Sequence, residues 1–520
     1  MRIEAFGFPD QVRLSAFAGR SSAFLARTDS ATWTHTAGTV REAGGRLISL
    51  WGAEEAASAF TISAAYALED GILWLQLPVD KGHDGGGEYP GLSAVFPCAT
   101  RMQRAVQDLL GLRAIGAGDT RPWLNHGNWP ADYHPLQKQS SGTTRFESRE
   151  QDYPFVQVAG DGVHEIAVGP IHAGVIEPGH FRFSVVGEKV LRLEERLGYA
   201  HRGIERLFEQ TPLLLGHRLA GRIAGDTTVA FSWAYCMAVE RALDVHIPPR
   251  ARWLRALLLE RERIANHLGD LGALGNDAGF GYGLAQFSRI KEDWLRLNDR
   301  VFGHRYLMDR IVPGGVATEV DVHLVTAMLT QCDQVDAQVR VMHRIYDDHS
   351  GLQDRFAGAG ILSAKVAEHF GVCGLVGRAS GRQIDVRVDH PYAPYHEVQV
   401  QMVRDDRGDV AARVAVRFNE IYESIRLIRV LLNDLPGGDV ITRIEHDDSP
   451  CRGLGWIEGW RGDVFVALEV GAEGTVSRCH CHDPSWQNWP ALEHAIIGNI
   501  VPDFPLINKS FNLNYAGHDL

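Results

Sequence analysis

The sequence predicts an α+β N-terminal domain followed by a large, mainly α domain with peripheral β-strands. Three observations carry this expectation. Long amphipathic runs of helical period fill residues 200–435. Short strand-like runs precede that stretch and return after it. Between residues 137 and 151 the text QKQSSGTTRFESREQ is polar almost throughout, the best linker candidate in the chain. The expected boundaries are 1–136 for the first domain, 137–158 for the linker and 159–520 for the second domain.

In chain order, residues 71–78 alternate like a half-buried strand, and the glycines of 81–87 mark a loop. Residues 100–112 read as a short amphipathic helix with Met102, Val106, Leu109 and Leu110 on one side. After the linker, 164–168, 179–186 and 188–194 read as strands. Pro248 and Pro249 then introduce a long helix over 250–274, whose Leu254, Leu257, Leu258, Ile264, Leu268 and Leu271 lie near one face. Further helices are expected over 284–306, 320–349 and 410–432, the last stopped by Pro436-Gly437-Gly438. Strand-like text returns at 455–460 and 464–470.

Composition narrows the function. The chain has 520 residues, enough for about three average domains. Its 52 basic and 65 acidic side chains give 52 − 65 = −13, which argues against a general nucleic-acid binder. Seven scattered cysteines form no disulfide framework and fit a reducing compartment. The opening MRIEAFGFPDQVRLSAF lacks an apolar core behind a basic region, so no secretory leader is expected. The best apolar run, 229–239, is shorter than the roughly 20 residues a membrane span needs.

The densest polar cluster is the glycine- and proline-rich turn at 169–182, which offers His172, Glu177, His180 and Arg182 for proton transfer or for plain backbone hydrogen bonding. On a helix, His201 and Glu205 would share a face, as an ion pair or a cation ligand. Glu260, Arg263 and His267 read as a solvated charged face. The segment 377–390, with Asp385, Arg387, Asp389 and His390, reads as a buried relay or a salt-bridge network. In Arg478-Cys-His-Cys-His-Asp483 the cysteines are one residue apart, so a strand places them on one face and the histidines on the other. That arrangement argues against a metal site. Phosphate-loop, zinc-protease, nucleophile-elbow and dinucleotide fingerprints are absent, so direct nicotinamide binding has no support.

Five strings carry a resemblance: GPIHAGVIEPGHFRF at 169–183, YAHRGIERL at 199–207, the run from AVERALDVHIPPR to IANHLGDLG at 238–272, GRASGRQIDVRVDHPYAPY at 377–395, and CHDPSWQNWPALEHAIIGNIVPDFPLI at 481–507. The large domain resembles the large subunit of energy-converting nickel–iron hydrogenases of the formate hydrogenlyase and hydrogenase-4 type. It is similar, too, to the quinone-site subunit of respiratory complex I (NADH:quinone oxidoreductase), known as its D component. YPGLSAVFPCATRMQRAVQDLLGL at 89–112 and DTRPWLNHGNWPADYHPLQK at 119–138 resemble the small hydrophilic C component of the same complex. The chain therefore looks like a fusion of the C and D components.

The resemblance implies a hydrophilic, redox-module subunit that shapes a quinone-type acceptor cavity. An iron–sulfur protein similar to the B component of complex I would lie beside it and hold the iron–sulfur cluster. Antiporter-like membrane subunits would hold the chain at the inner, cytoplasmic face of the cell membrane. His180 or His172, with Glu177, would serve the acceptor; His201, Glu205, Arg182, Asp385 and Arg387 would carry protons or line the cavity. The family's cysteine pairs fall at Ala224 and Thr227 and at Ser510 and Leu513, so a nickel–iron cluster is not expected. The quinone tyrosine position holds Gly225. The alternative is an assembly or coupling subunit that has lost both sites.

Overall fold

The computed structural model describes all residues except 1, 9–11, 17–21, 57–58, 83–85, 150, 174–175 and 446–448. The expected loop at 81–87 therefore lies partly outside the described residues.

The N-terminal part is built on a five-stranded sheet of order β1-β2-β5-β4-β3. Its strands are β1 (Val12–Ala16), β2 (Ser22–Arg27), β3 (Arg46–Ala56), β4 (Ala59–Leu68) and β5 (Gly71–Asp80). Helices α1 (Ser30–Glu42) and α2 (Ala99–Leu110) accompany it, and β6 (Gly87–Pro90) pairs in parallel with β7 (Leu112–Ile115). The sequence reading missed α1, whose SATWTHTAGTVRE text is poor in apolar residues. Tertiary burial of Trp33, Ala37 and Val40 and the Asp29 cap hold it instead. Strand β5 is central rather than half-buried, because both faces are covered. On one face Trp51 stacks on His480 of the second body, with ring centroids 4.7 Å apart. On the other, Leu110 of α2 closes over Gly52.

The described residues of 116–162 cross to the second body without regular secondary structure. The antiparallel sheet β8 (Val163–Val168), β9 (His180–Val186) and β10 (Lys189–Arg196) follows, in order β10-β9-β8. Short helices α3 (Ile204–Phe208) and α4 (Gly216–Ala220) lead into α5 (Thr228–Ala242), which is buried almost all round. The apolar run of 229–239 is thus a core helix. Among the described residues, no helix is long and apolar enough to cross a membrane.

The long helices are α6 (Pro249–Asp277), α7 (Gly281–Phe302), α8 (Val322–Asp348) and α14 (Val410–Asn433). A small ladder, β11 (Ile311–Val312) with β12 (Gly315–Val316), and the short helices α9 (Ser350–Phe356), α10 (Ala364–His369), α11 (Gly374–Arg378), α12 (Val386–Asp389) and α13 (Tyr395–Val398) connect them. Strands β13 (Cys451–Glu458), β14 (Asp463–Val470) and β15 (Val476–His482) form the last sheet, and α15 (Ser485–Ala495), α16 (Phe504–Phe511) and α17 (Ala516–Asp519) end the chain.

Helix α5 lies on β13 at van der Waals distance because β13 carries glycine where they touch. A Cβ on Gly453 would stand 2.0 Å from the Ala238 carbonyl oxygen, and one on Gly455 1.8 Å from that of Ala234. The strand repeat of two and the helix repeat of four therefore meet in register. Against expectation, Glu260, Arg263 and His267 are fully buried, because α14 packs on that side of α6 and Arg263 donates to the Glu458 carbonyl at the end of β13.

Candidate functional site

The turn between β8 and β9 sends its polar residues to two different cavities. Glu177 faces the C-terminus, where its Oε2 accepts the Ala516 N–H at 3.2 Å. It lines a cavity of about 760 Å³ with Ala224, Gly225 and Leu513. Two ion pairs stand in the same wall. Arg461 donates to both oxygens of Asp226 at 2.9 and 2.6 Å, and Lys509 Nζ donates to Asp277 at 2.9 Å. Burial opposes ionisation of Asp226, yet the Arg461 guanidinium holds its carboxyl below the usual carboxylate range. Arg202 reaches the cavity too, with Nη2 donating to the Ile223 carbonyl at 2.7 Å.

His180 and Arg182 line another cleft, of about 670 Å³, with Phe155, Glu165, Arg196 and Tyr199. There Arg182 Nε donates to His180 Nε2 at 3.3 Å, and Arg182 pairs with Glu165 at 3.1 Å. Burial lowers the His180 imidazole below its ordinary range, which disfavours its charged form. His172 lies in neither lining; its Nε2 meets the Gly179 carbonyl at 2.9 Å and fastens the turn. The structure thus puts Glu177 beside Ala224 and Leu513, and His180 elsewhere.

The remaining candidates fall into two further sets. His201 precedes α3 rather than riding on it, and its Nδ1 meets the Asp519 carbonyl at 2.8 Å. Glu205 is on α3 and is consumed by Arg478 at 3.0 Å and His480 Nδ1 at 2.6 Å. His480 in turn bonds Ser49 of the first sheet at 2.7 Å, so this network ties the two parts of the chain together. Asp385 and Arg387 belong to a buried group of charges between α6, α11, α12, α14 and β13, joined by a 2.7 Å contact. Arg478-Cys-His-Cys-His-Asp483 includes most of β15, with Cys479 and Cys481 on one face and their sulfurs 3.9 Å apart.

The four residues that the resemblance puts at the family's cysteine positions do not fit a nickel–iron group. Ala224 and Leu513 carry no donor atom. Thr227 Oγ1 accepts from Arg461 at 3.0 Å and donates to Asp226 at 3.1 Å, while Ser510 Oγ accepts from Arg413 at 2.8 Å. Both hydroxyls are taken up by the protein's own charges, and no thiolate is present to bind soft metals.

Sequence reasoning missed Asp226, Asp277, Arg461, Lys509 and Arg202. No local pattern could have found them: Lys509 and Asp277 are 232 positions apart, and Arg461 and Asp226 are 235 apart.

Comparison with known proteins agrees with this architecture. The family model of the 49-kDa subunit of respiratory-chain NADH dehydrogenase matches residues 277–453, and that of the 30-kDa subunit matches 26–145. Formate hydrogenlyase subunit 5 of Escherichia coli K12 is 32% identical over 446 residues, covering 83% of this chain and 77% of the relative. The C/D subunit of NADH-quinone oxidoreductase from Phocaeicola vulgatus is 29% identical over 406 residues, covering 74% of this chain and 77% of the relative. A chain from the structure of an archaeal membrane-bound sulfane sulfur reductase, described as a respiratory membrane complex, superposes with a TM-score of 0.65 at 24% identity. That match covers 70% of this chain and all of the other, and supports the fold alone.

These matches define a class in which a 30-kDa-type and a 49-kDa-type unit are joined in one chain. The chain belongs to the family that unites the large subunits of formate hydrogenlyase and hydrogenase-4 with the C/D subunits of NADH-quinone oxidoreductase.

Proposed function

We propose that this chain is the hydrophilic redox-module subunit of a membrane-associated, complex I-like oxidoreductase, and that the 760 Å³ cavity receives its electron acceptor. The observation that carries the reading is the composition of that cavity. Ala224, Gly225 and Leu513 leave room, two of them at positions where the resemblance expects hydrogenase thiolates, and Glu177, Asp226–Arg461 and Asp277–Lys509 line the space. A quinone-type acceptor would be reduced there by an iron–sulfur cluster in a partner similar to the B component of complex I. Antiporter-like membrane partners would hold the assembly at the cytoplasmic face of the membrane and use the released energy to move ions.

The proposed units are an α+β domain at 1–136 that resembles the C component, a linker at 137–158, and a hydrogenase-like domain at 159–520 that resembles the D component. The 30-kDa match at 26–145 supports the first of these. Within the cavity, the pairs fix charge at both ends, and Glu177 is the carboxyl placed to exchange a proton with a reduced acceptor.

Electron transfer by the purified assembly tests the reading. Glu177→Gln and Lys509→Met should each cut turnover by tenfold or more, about 1.4 kcal/mol of barrier. His180→Ala should act less, since His180 lines the other cleft; equal losses would return His180 to the chemistry. Full turnover in both cavity variants, with quinone and with sulfur acceptors, would favour the second reading, a coupling or assembly subunit. The observation behind that second reading is that Arg413 and Arg461 already engage Ser510 and Thr227.

A further inference from the structure

Behind the wall of the large cavity lies a closed ring of ionisable side chains, each at most 3% exposed. Helix α6 contributes Glu260, Arg263 and His267, and α14 contributes Glu420. Arg378 comes from α11, Asp385 and Arg387 from the start of α12, and Glu458 from the end of β13.

His267 Nε2 meets Glu420 at 2.7 Å, and Glu420 accepts from Arg378 at 2.7 and 3.0 Å. Arg378 donates to Glu458 at 2.7 Å and lies 3.6 Å from Asp385. Arg387 donates to Asp385 at 2.7 Å and to Glu260 at 3.0 Å, and Arg263 closes the ring with Glu260 at 3.3 Å and Glu420 at 3.6 Å. The ring thus contains four carboxyl groups and three guanidiniums.

Two ion pairs are packed around it. Arg417 of α14 pairs with Asp270 of α6 at 2.8 Å, and Arg46 of β3 pairs with Asp463 of β14 at 2.7 Å. Asp389 of α12 accepts the Asp385 N–H at 2.9 Å and opens, with His390, onto a groove of about 330 Å³. Tyr395 and Ser424 supply neutral O–H donors to Glu260. Within the ring the fourth carboxyl group thus has no guanidinium of its own, and Arg382 stands apart from it, on the groove beside Asp389.

An uncompensated buried charge costs several kcal/mol, so the ring reaches neutrality by keeping a proton. Three carboxylates have strong claims to stay ionised. Asp385 is held by two guanidiniums, Glu260 by two guanidiniums and two hydroxyls, and Glu420 by Arg378 with His267 beside it. Glu458 has the Arg378 contact and the Val386 N–H at 3.1 Å. Burial and the neighbouring Asp385 accordingly push Glu458 up to about 7. Burial lowers His267, and its Nδ1 finds no hydrogen-bond partner among the described residues, which disfavours an imidazolium.

We propose that this ring is a storage site for one exchangeable proton, seated on Glu458 between the acceptor cavity and the groove at Asp389 and His390. Glu458 and Arg461 belong to the same β13–β14 turn, so charge arriving in the cavity wall is felt at the proton. That last coupling rests on the acceptor-cavity reading; the storage does not, and it is tested without any acceptor.

The test is infrared spectroscopy of the full chain labelled with ¹³C-glutamate, titrated upward from acid pH. Other buried acids, Glu262 among them, absorb in the same region, so the readout is the carboxylic-acid band that each variant removes. Glu458→Gln should remove one band that titrates near neutrality. Glu420→Gln should remove the same band, because three carboxylates then balance three guanidiniums and Glu458 ionises. Asp385→Asn makes the same change of charge and serves if Glu420→Gln does not fold. If the band lost in Glu458→Gln persists in a folded charge-balancing variant, or if Glu458→Gln removes no band, the proposal is overturned.

Discussion

At the scale of single residues, burial decides which charges exist. Glu262 is the clearest case. Its carboxyl accepts the Val229 N–H at 2.7 Å and the Ala230 N–H at 3.3 Å, at the start of α5. Burial outweighs these bonds and pushes it up to about 8. The folded chain therefore binds a proton that the unfolded chain releases near 4.5, and stability falls as pH rises from there to about 8. Glu262→Gln should leave the melting temperature nearly unchanged at pH 5 and raise it at pH 8; equal shifts at both would refute the neutral carboxyl. The sequence showed Glu177 and His180 as neighbours in one motif but could not separate their destinations. A strand begins at His180, and that step turns one side chain to each cavity. The resemblance puts missing thiolates at Ala224, Thr227, Ser510 and Leu513, and metal analysis of the purified assembly tests that expectation: it should find no stoichiometric nickel on this chain.

At the scale of elements, close approach joins helix to sheet within the second body, and buried pairing ties the two parts of the chain together. The Gly453 and Gly455 contacts leave no room for a side chain between β13 and α5. Gly455→Val should cost about 3 kcal/mol or more by overpacking, read by chemical denaturation. The Glu205–Arg478–His480 network works differently. Burial opposes ionisation of Glu205, but Arg478 and His480 hold it down to about 2. Its contribution is complete above the unfolded value of 4.5 and is lost as pH falls through about 2. Glu205→Ala leaves Arg478 buried without a counter-charge and should destabilise the chain by roughly 3–5 kcal/mol at pH 7. A loss below about 1 kcal/mol would place the network in the class of weak surface pairs. The long helices were legible because their apolar period of 3.6 is local. The burial of Glu260, Arg263 and His267 was not, since a charged stripe looks the same whether water or another charged helix covers it.

At the scale of the whole molecule, cavity, ring and groove are built from segments hundreds of positions apart. Asn512 of the C-terminal segment bonds Asp270 of α6 at 2.6 Å, and Arg461 of the β13–β14 turn bonds Asp226 before α5. Turnover of the assembled protein should consequently depend on two separable places, Glu177 in the cavity and Glu458 in the ring. A double variant, Glu177→Gln with Glu458→Gln, should lower turnover by the product of the two single effects; a smaller or larger loss would show that the sites are coupled. The sequence by itself determined the four long helices and the strand-like text on either side of them. Each of these rests on residue type and on periodicities only a few residues long. Only the tertiary structure decided which carboxyl faces the cavity, which charges are buried and how many guanidiniums balance them. Charge balance is a property of distance and exclusion of water, and neither is encoded in any short stretch of chain.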